Sequence, residues 1–478
     1  MNIAIVGSGI AGLACAHALG RDGAHQVTLF EAGDYLGGHT NTVDVTQDGI
    51  TYPVDTGFLV FNQRTYPNLI HLFAELGVPT AASEMSFSVS LGGELEWAGT
   101  SLSSLFAQPG NLLQPRFWAM LRDILRFNRA AIAAAGPLDR GGILGAAGAV
   151  SPARATDTVL SGAALSGPSG LSALSGLSAL SGLSLGAWLE QGRYSNAFRD
   201  WYLLPMAGAI WSCPTKTMLD YPFATFARFC HNHGLLQVRN RPPWFTVQGG
   251  GREYVRRIAA GLGRVRLNAA VEQVRRTAGG VALRCNGQTE RFDEVVLACH
   301  SDQALALTAD ASAAERAVLG AIPYQPNIAY LHTDTALLPR RRAAWAAWNY
   351  LSTGPDTLGA RPVAVSYLLN KLQPLPFKTP VIVTLNPFTA PDPARVIAKF
   401  DYAHPVFDAG AIAAQRQLDA IQGKHGLWFA GAWTGYGFHE DGLKSGLAVA
   451  QRLNQRAVEY SAACGPGEAN AAALRQAA

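Results

Sequence analysis

The chain has 478 residues, 49% of them hydrophobic and 15% charged. That apolar content fills two or three domain cores and excludes a disordered chain. The net charge of +4 is too small for a nucleic-acid binder without a clustered patch. The one tight basic cluster is Arg340-Arg341-Arg342, with Arg239, Arg241, Arg256 and Arg257 dispersed elsewhere. These are read first as solvated faces and second as contacts for a membrane surface or anionic head groups. Cys15, Cys213, Cys230, Cys285, Cys299 and Cys464 stand far apart, with no CxxC pair. No metal site is expected from them, and a reducing compartment is. No run of about 18 apolar residues appears, so no membrane-spanning helix is expected. A strand beginning at residue 3 leaves no room for a signal peptide. The expectation is a soluble cytoplasmic protein, with at most a peripheral contact at the inner membrane surface.

Ile3-Ala-Ile-Val6 reads as a buried strand. Gly7-Ser-Gly9-Ile-Ala-Gly12 follows at once and opens an Ala/Leu-rich helix. Gln26-Val-Thr-Leu-Phe30 is a second strand, ending in Glu31, 19 residues after Gly12. Strand, glycine turn, helix, strand and acid are the dinucleotide fingerprint in its required context. Gly7 permits the tight turn, Gly9 the approach of a pyrophosphate, and Gly12 close packing of helix on strand. Ser8, Ile10 and Ala11 lie at the helix start, where free N–H groups face phosphate. Glu31 is placed to hold a ribose hydroxyl, with Ala32 beside it.

Residues 43 to 54 read as a hairpin around Gln47-Asp-Gly49. A helix is predicted over residues 65 to 76, ended by Gly77. Strands at residues 85–91 and 94–97 depart from dinucleotide-binding topology, so a second domain is placed from about residue 81. A helix is predicted over residues 117 to 132. Residues 136–185 are a Leu/Ser/Gly/Ala-rich insertion, in which Leu171-Ser-Ala-Leu-Ser-Gly recurs at Leu177 with a period of six. Two copies are too few for a solenoid. The segment is read as a flexible surface insertion, with a lipid-contacting flap as the minor alternative. Residues 185 to 202 read as helix, and 203–214 as an apolar segment. His231 and His233 alternate and read as a hydrogen-bonded structural pair. Strand-like runs lie at 327–332, 363–369 and 381–385. Trp345, Trp348 and Tyr350 suit a pocket floor or a sheet core equally. Residues 461–478 read as a disordered tail.

The extension Glu31-Ala-Gly-Asp-Tyr-Leu-Gly37-Gly38-His39 resembles that of the FAD-dependent amine oxidase, protoporphyrinogen oxidase and phytoene desaturase superfamily. His39 stands where that superfamily usually has arginine. The resemblance implies FAD as the cofactor. It also implies an α/β fold, a Rossmann-type FAD-binding domain (residues 1–80, 235–305 and 405–460) interleaved with an α+β substrate-binding domain (81–234 and 306–404). By the same resemblance Gly38 and His39 adjoin the pyrophosphate. Gly57, Phe58, Leu59 and Val60 present backbone to the flavin, and Val271 meets the adenine. Gly431, Glu440 and Asp441 bring the start of the last helix to the flavin, whose reduced form its dipole stabilises. Trp433, Tyr436 and Phe438 then border substrate, His439 is a candidate base, and Lys371 is a candidate residue near the flavin N5. A narrower likeness, carried by residues 54–62, 230–236, 297–303, 344–349 and 437–442, is to bacterial NAD/FAD-binding flavoproteins. Their genes often accompany cyclopropane or methyl fatty acid synthases.

The expected activity is hydride removal to FAD from an apolar substrate, a lipid acyl chain. A second reading is an amine oxidase caging a cationic substrate with Trp433, Tyr436 or Phe438. A third is a non-catalytic flavin-binding partner of a lipid-modifying enzyme. The oligomeric state is left open.

Overall fold

A computed structural model describes the chain except residues 22, 137–182, 212–214, 239–240, 354–363 and 476–478. The side chains of residues 215–216 and 460–475 are likewise outside the description. The insertion at 136–185 therefore lies almost wholly outside the described residues.

A five-stranded parallel sheet organises the first half of the architecture. Its centre is β1 (Asn2–Val6), flanked on one side by β2 (Gln26–Phe30) and then Arg264–Arg266. On the other side lie Glu294–Leu297 and then Leu427–Phe429. The chain order reverses direction at β1, which opens a crevice at the carboxyl ends of the strands. Parallel strands covered on both faces need apolar residues throughout, and Ile3, Ala4, Ile5, Val295, Val296 and Leu297 are all fully buried.

Helix α1 (Ile10–Gly20) runs from the glycine turn and is apolar all round. It is sandwiched between the sheet and the final helix, His439–Arg475. Small residues make that sandwich possible. A β-carbon at Gly446 would lie 2.1 Å from the Ala11 carbonyl oxygen, and one at Gly442 would lie 2.8 Å from the Ile10 side chain. The final helix continues through Arg475.

A seven-stranded mixed sheet forms the second half. Its spatial order is Val396–Pro405, Tyr324–His332, Ile382–Leu385, Ala364–Leu368, Trp348–Ser352, Phe87–Leu91 and Leu95–Ala98. Only the pairing of Trp348–Ser352 with Phe87–Leu91 is parallel. Helices stand beside it, chiefly Pro115–Ala135 and Phe223–Asn232, which pack on each other. A three-stranded meander covers residues 271–292, turning through Asn286 and Gly287 at positive φ.

Residues 185–203 form three short pieces in place of the one helix expected. Gly192 ends the first piece, Arg193 sits at φ +50°, and Ser195 caps the second. The buried Asp123 carboxylate accepts from the Ser195 N–H at 2.8 Å and fixes that break. Helix α2 (Pro67–Leu76) starts on proline and ends at Gly77 in the left-handed region.

Candidate functional site

A cavity of about 750 Å³ runs from the glycine turn of the parallel sheet to the inner face of the mixed sheet. Its two ends are built differently. At the first end the wall is mostly backbone: Val6 to Ala11, Phe30 to Ala32, Gly37 to His39 and Ala269 to Val271. Gly7 sits at φ +100°, with its β-position 2.8 Å from the Ala298 carbonyl oxygen. A β-carbon on Gly12 would fall 1.9 Å from the Gly7 carbonyl oxygen, so only glycine lets the helix close on the turn. Gly9 differs, since nothing lies within 4 Å of its β-position. That open space above a helix N-terminus suits an approaching phosphate.

The Glu31 carboxylate accepts from the Ser8 N–H at 2.9 Å, the Ser8 hydroxyl at 2.5 Å and the Gly33 N–H at 2.9 Å. A carboxylate offers about four acceptor positions, so one remains for a ribose hydroxyl. His39 lines the cavity, and its carbonyl accepts from the Phe58 N–H at 3.1 Å. A β-carbon on Gly57 would meet that carbonyl at 2.1 Å. His39 and the Gly57–Val60 loop therefore meet through backbone and together line the cavity. These glycines and Glu31 fit a flavin dinucleotide: an open phosphate approach, a free acceptor position and a preformed cleft.

The other end is made of side chains drawn from distant segments. Met85, Ile210, Trp211, Phe229, Leu235, Trp244, Trp348, Tyr367 and Leu385 contribute apolar wall, as do Tyr402, Trp433, Tyr436 and Phe438. Phe229 stacks on Phe438 with ring centroids 5.1 Å apart and on His233 at 4.0 Å. The Trp433 indole N–H donates to the Cys299 carbonyl at 3.2 Å. Trp433 is almost wholly buried, so it is as much core as wall.

Five imidazoles line the same cavity: His39, His233, His300, His404 and His439. His39 lies edge-on to Tyr402 at 4.6 Å and to His404 at 5.1 Å. His300 stacks on Tyr324 at 4.3 Å. Desolvation pushes the imidazole of His39 down to about 4 and that of His404 to about 3, and neighbouring imidazoles depress both further. Desolvation likewise pushes His233 down to about 4 and lowers His300. No group of three metal-ligating side chains forms among the described residues.

His439 begins the final helix and stacks on Phe58, rings 3.9 Å apart and 12° from parallel. Desolvation and the nearby His39 push its imidazole down to about 3. An imidazole held so low is neutral at pH 7 and holds an added proton only weakly. Its Nε2 lies 2.8 Å from the Tyr254 hydroxyl, which lies 2.5 Å from the Thr40 hydroxyl. When Tyr254 donates to Nε2, the ring proton of the neutral imidazole is on Nδ1. His439 is then a hydrogen-bond donor of fixed tautomer.

The Lys371 side chain stands elsewhere, and the carboxylates of Glu440 and Asp441 point away from the cavity at a helix start whose backbone was the expected contact. The Lys371 ammonium donates to both Glu84 carboxylate oxygens, at 2.9 and 3.0 Å, in a half-exposed ion pair outside the cavity. The turn after the Ala364–Leu368 strand carries its side chain outward. Its neighbour Gln373 faces inward, donating to the Asp55 carboxylate at 2.8 Å while its side-chain carbonyl accepts from the Asp55 N–H. The Glu440 carboxylate leaves the cavity to cap α2, accepting from the N–H groups of Asn68 and Leu69 and from the Asn68 side-chain amide. The Asp441 carboxylate accepts from the N–H groups of Tyr436 and Phe438, and its own N–H donates to the Phe438 carbonyl. Neither acid lines the cavity. His231 and His233 are not a bonded pair. His233 Nδ1 pairs with the Phe229 carbonyl at 3.0 Å at the end of a helix, and the His231 carbonyl accepts from Arg64. Trp345 packs in a small satellite cluster and Tyr350 in the sheet core, while Trp348 reaches the cavity.

Tyr254, Tyr324, Tyr402, His300 and His404 carry no mark in the sequence that points to the site. The signal for His404 would have been the strand Val396–Pro405, whose neighbour pairing brings residues 402–405 across from Tyr324–Asn327.

The chain matches the family model of flavin containing amine oxidoreductases over residues 10–454. It is 30% identical over 298 residues to a Mycobacterium tuberculosis protein named as a flavin-containing monoamine oxidase, AofH. That match covers 61% of this chain and 55% of the relative, so the chain matches little more than half of the relative's length. Cyclohexylamine oxidase from Brevibacterium oxydans shares the fold, with a TM-score of 0.63 at 16% identity over 95% of this chain and 99% of that one. So does a fatty acid isomerase from P. acnes that produces CLA, at 0.61 and 14%, over 94% and 98%. The chain belongs to the flavin containing amine oxidoreductase family, a family of FAD-dependent enzymes.

Proposed function

We propose that this enzyme oxidises an apolar substrate, with a lipid acyl chain as the substrate class. The observation that supports this is the cavity wall. Among the described residues that line it, Glu31 is the only carboxylate, and it is at the glycine-turn end. Among the described residues, no Asp, Glu, Lys or Arg lines the aromatic end. A cationic amine brought there would lose its hydration with no opposing charge to replace it. An acyl chain loses only contact with water, which is favourable. The fold does not separate the readings, because an amine oxidase and a fatty acid isomerase both share it.

Bound at this site, FAD supplies the hydride acceptor. The protein orients and excludes water. Trp348, Tyr436 and Phe438 present flat apolar faces to a chain. The stacked Phe58–His439 pair fixes one wall, and the Tyr254 hydroxyl pairs with the imidazole Nε2. The start of the final helix supplies the positive end of its dipole to developing negative charge.

The test is anaerobic. The flavin-loaded protein is mixed with bacterial phospholipids or free fatty acids, then with amines, and the visible spectrum is followed. Bleaching by lipid and not by amines is expected. Bleaching by amines alone transfers the site to the amine-oxidase reading. No bleaching by any of them, or by cell extract, leaves a flavin-binding partner without turnover.

A further inference from the structure

The segment from residue 102 to 135 is apolar on its outside as well as its inside. Its inner face is settled, with Phe117, Met120, Phe127 and Ala131 buried. Outside, Leu113 is 87% and Leu102 76% exposed, and Leu112 and Trp118 are about half exposed. These four form one patch. The Trp118 indole N–H donates to the Leu112 carbonyl at 2.9 Å, and Phe106, one turn beyond Leu102, packs against Trp118 at 5.8 Å. Single exposed leucines are ordinary, but a contiguous set held in place marks a contact surface.

Charge around the patch is one-sided. Arg116, Arg122, Arg126 and Arg129 are exposed along the same helix. Between residues 92 and 135, Glu96 and Asp123 are buried and only Glu94 is exposed. Asp123 lies within 3.7 Å of Arg122 and 3.4 Å of Arg126, offsetting part of that charge. The turn at Arg342–Ala344 packs on the short helix at Leu102–Leu105 and adds exposed Arg340 and Arg342.

We propose that this face docks the protein on an anionic lipid bilayer. Leu102, Leu113 and Trp118 enter the boundary between head groups and acyl chains, and the surrounding arginines meet lipid phosphates. Charge selects the membrane over a second copy of the chain, because two such faces together would oppose arginine to arginine. The patch is outside the cavity wall, so the docking stands or falls apart from the acyl-chain reading.

The test is co-sedimentation of the flavin-loaded full chain with vesicles of phosphatidylcholine, alone or with added phosphatidylglycerol. Binding to the anionic vesicles, weakened by salt, is expected. Leu113→Glu with Leu102→Glu abolishes it, and Arg122→Glu weakens it at least about fivefold. Flavin content and melting temperature stay unchanged, since these side chains are outside the core. Failure to bind anionic vesicles overturns the proposal, and so does binding indifferent to Leu113→Glu. Binding kept by Leu113→Glu and lost on deleting residues 137–182 moves the contact to that segment and likewise overturns the proposal. A dimer split by Leu113→Glu with vesicle binding intact assigns the face to a second copy and also overturns it.

Discussion

The two ends of the cavity are built on different principles. The dinucleotide end is backbone: a glycine turn, a helix N-terminus and one carboxylate, contributed by the first forty residues. The substrate end is side chains: imidazoles and aromatic rings from at least six separate segments. A backbone site depends on the absence of β-carbons and leaves a sharp sequence pattern. A side-chain site depends on which distant strands adjoin, and leaves almost none. The two ends should therefore fail differently when altered.

The largest effect is expected at the turn. Gly12→Ala places a methyl 1.9 Å from the Gly7 carbonyl oxygen. The helix must move, costing about 3 kcal/mol or more, and flavin is lost with the fold. Gly9→Ala separates binding from folding, because its methyl enters open space. The melting temperature of the flavin-free protein should hold while retained flavin, read by visible absorbance, falls sharply. If Gly9→Ala keeps its flavin, the phosphate does not approach over Gly9.

At the other end, Tyr254→Phe leaves His439 Nε2 without its hydrogen-bond partner. About 1–3 kcal/mol of stability should go, as for a buried group left unpaired. The imidazole nitrogen resonances of the flavin-free protein should show the tautomer released, and the flavin absorption band should move in the loaded one. An unaltered tautomer would mean that Tyr254 does not set the proton position on His439.

Acid tests the imidazole cluster as a whole. His39 and His233 are held near 4, and His404 and His439 near 3, against an ordinary 6.5. Below pH 6.5 the unfolded chain takes up protons that the folded chain refuses, so stability falls as pH falls from 6.5 toward 4. Asp55 and Asp441 oppose this, since burial raises both to about 6 from 3.8 and the folded state holds their protons between those limits. Four imidazoles outweigh two carboxyls. The melting temperature should be several degrees lower at pH 5 than at pH 7, and a flat profile would mean that the cavity is wetter than its packing implies.

The smallest effect is expected at Lys371→Met. It breaks one half-exposed ion pair with Glu84, worth at most about 1 kcal/mol. Turnover should stay within about twofold, because the side chain does not reach the cavity. A large loss of turnover would restore it to the site.

The parallel sheet's first strands, the glycine turn, Glu31 and the family resemblance are all legible along the chain. These features are local: spacing along one short stretch fixes φ, close approach and helix start together. The sequence also marked Trp433, Tyr436, Phe438 and His439 as neighbours of the site, through one contiguous motif. Tertiary structure alone decided the chemistry of the other end. Lys371 and Gln373 are two residues apart, yet one side chain faces outward to Glu84 and the other inward to Asp55. Glu440 and His439 are adjacent, yet one caps a neighbouring helix and the other lines the cavity. Side-chain direction at a turn or helix start depends on what packs against it, and those partners are hundreds of residues away. The neutrality of the imidazoles has the same origin, because burial is a property of the assembled fold and not of any one segment.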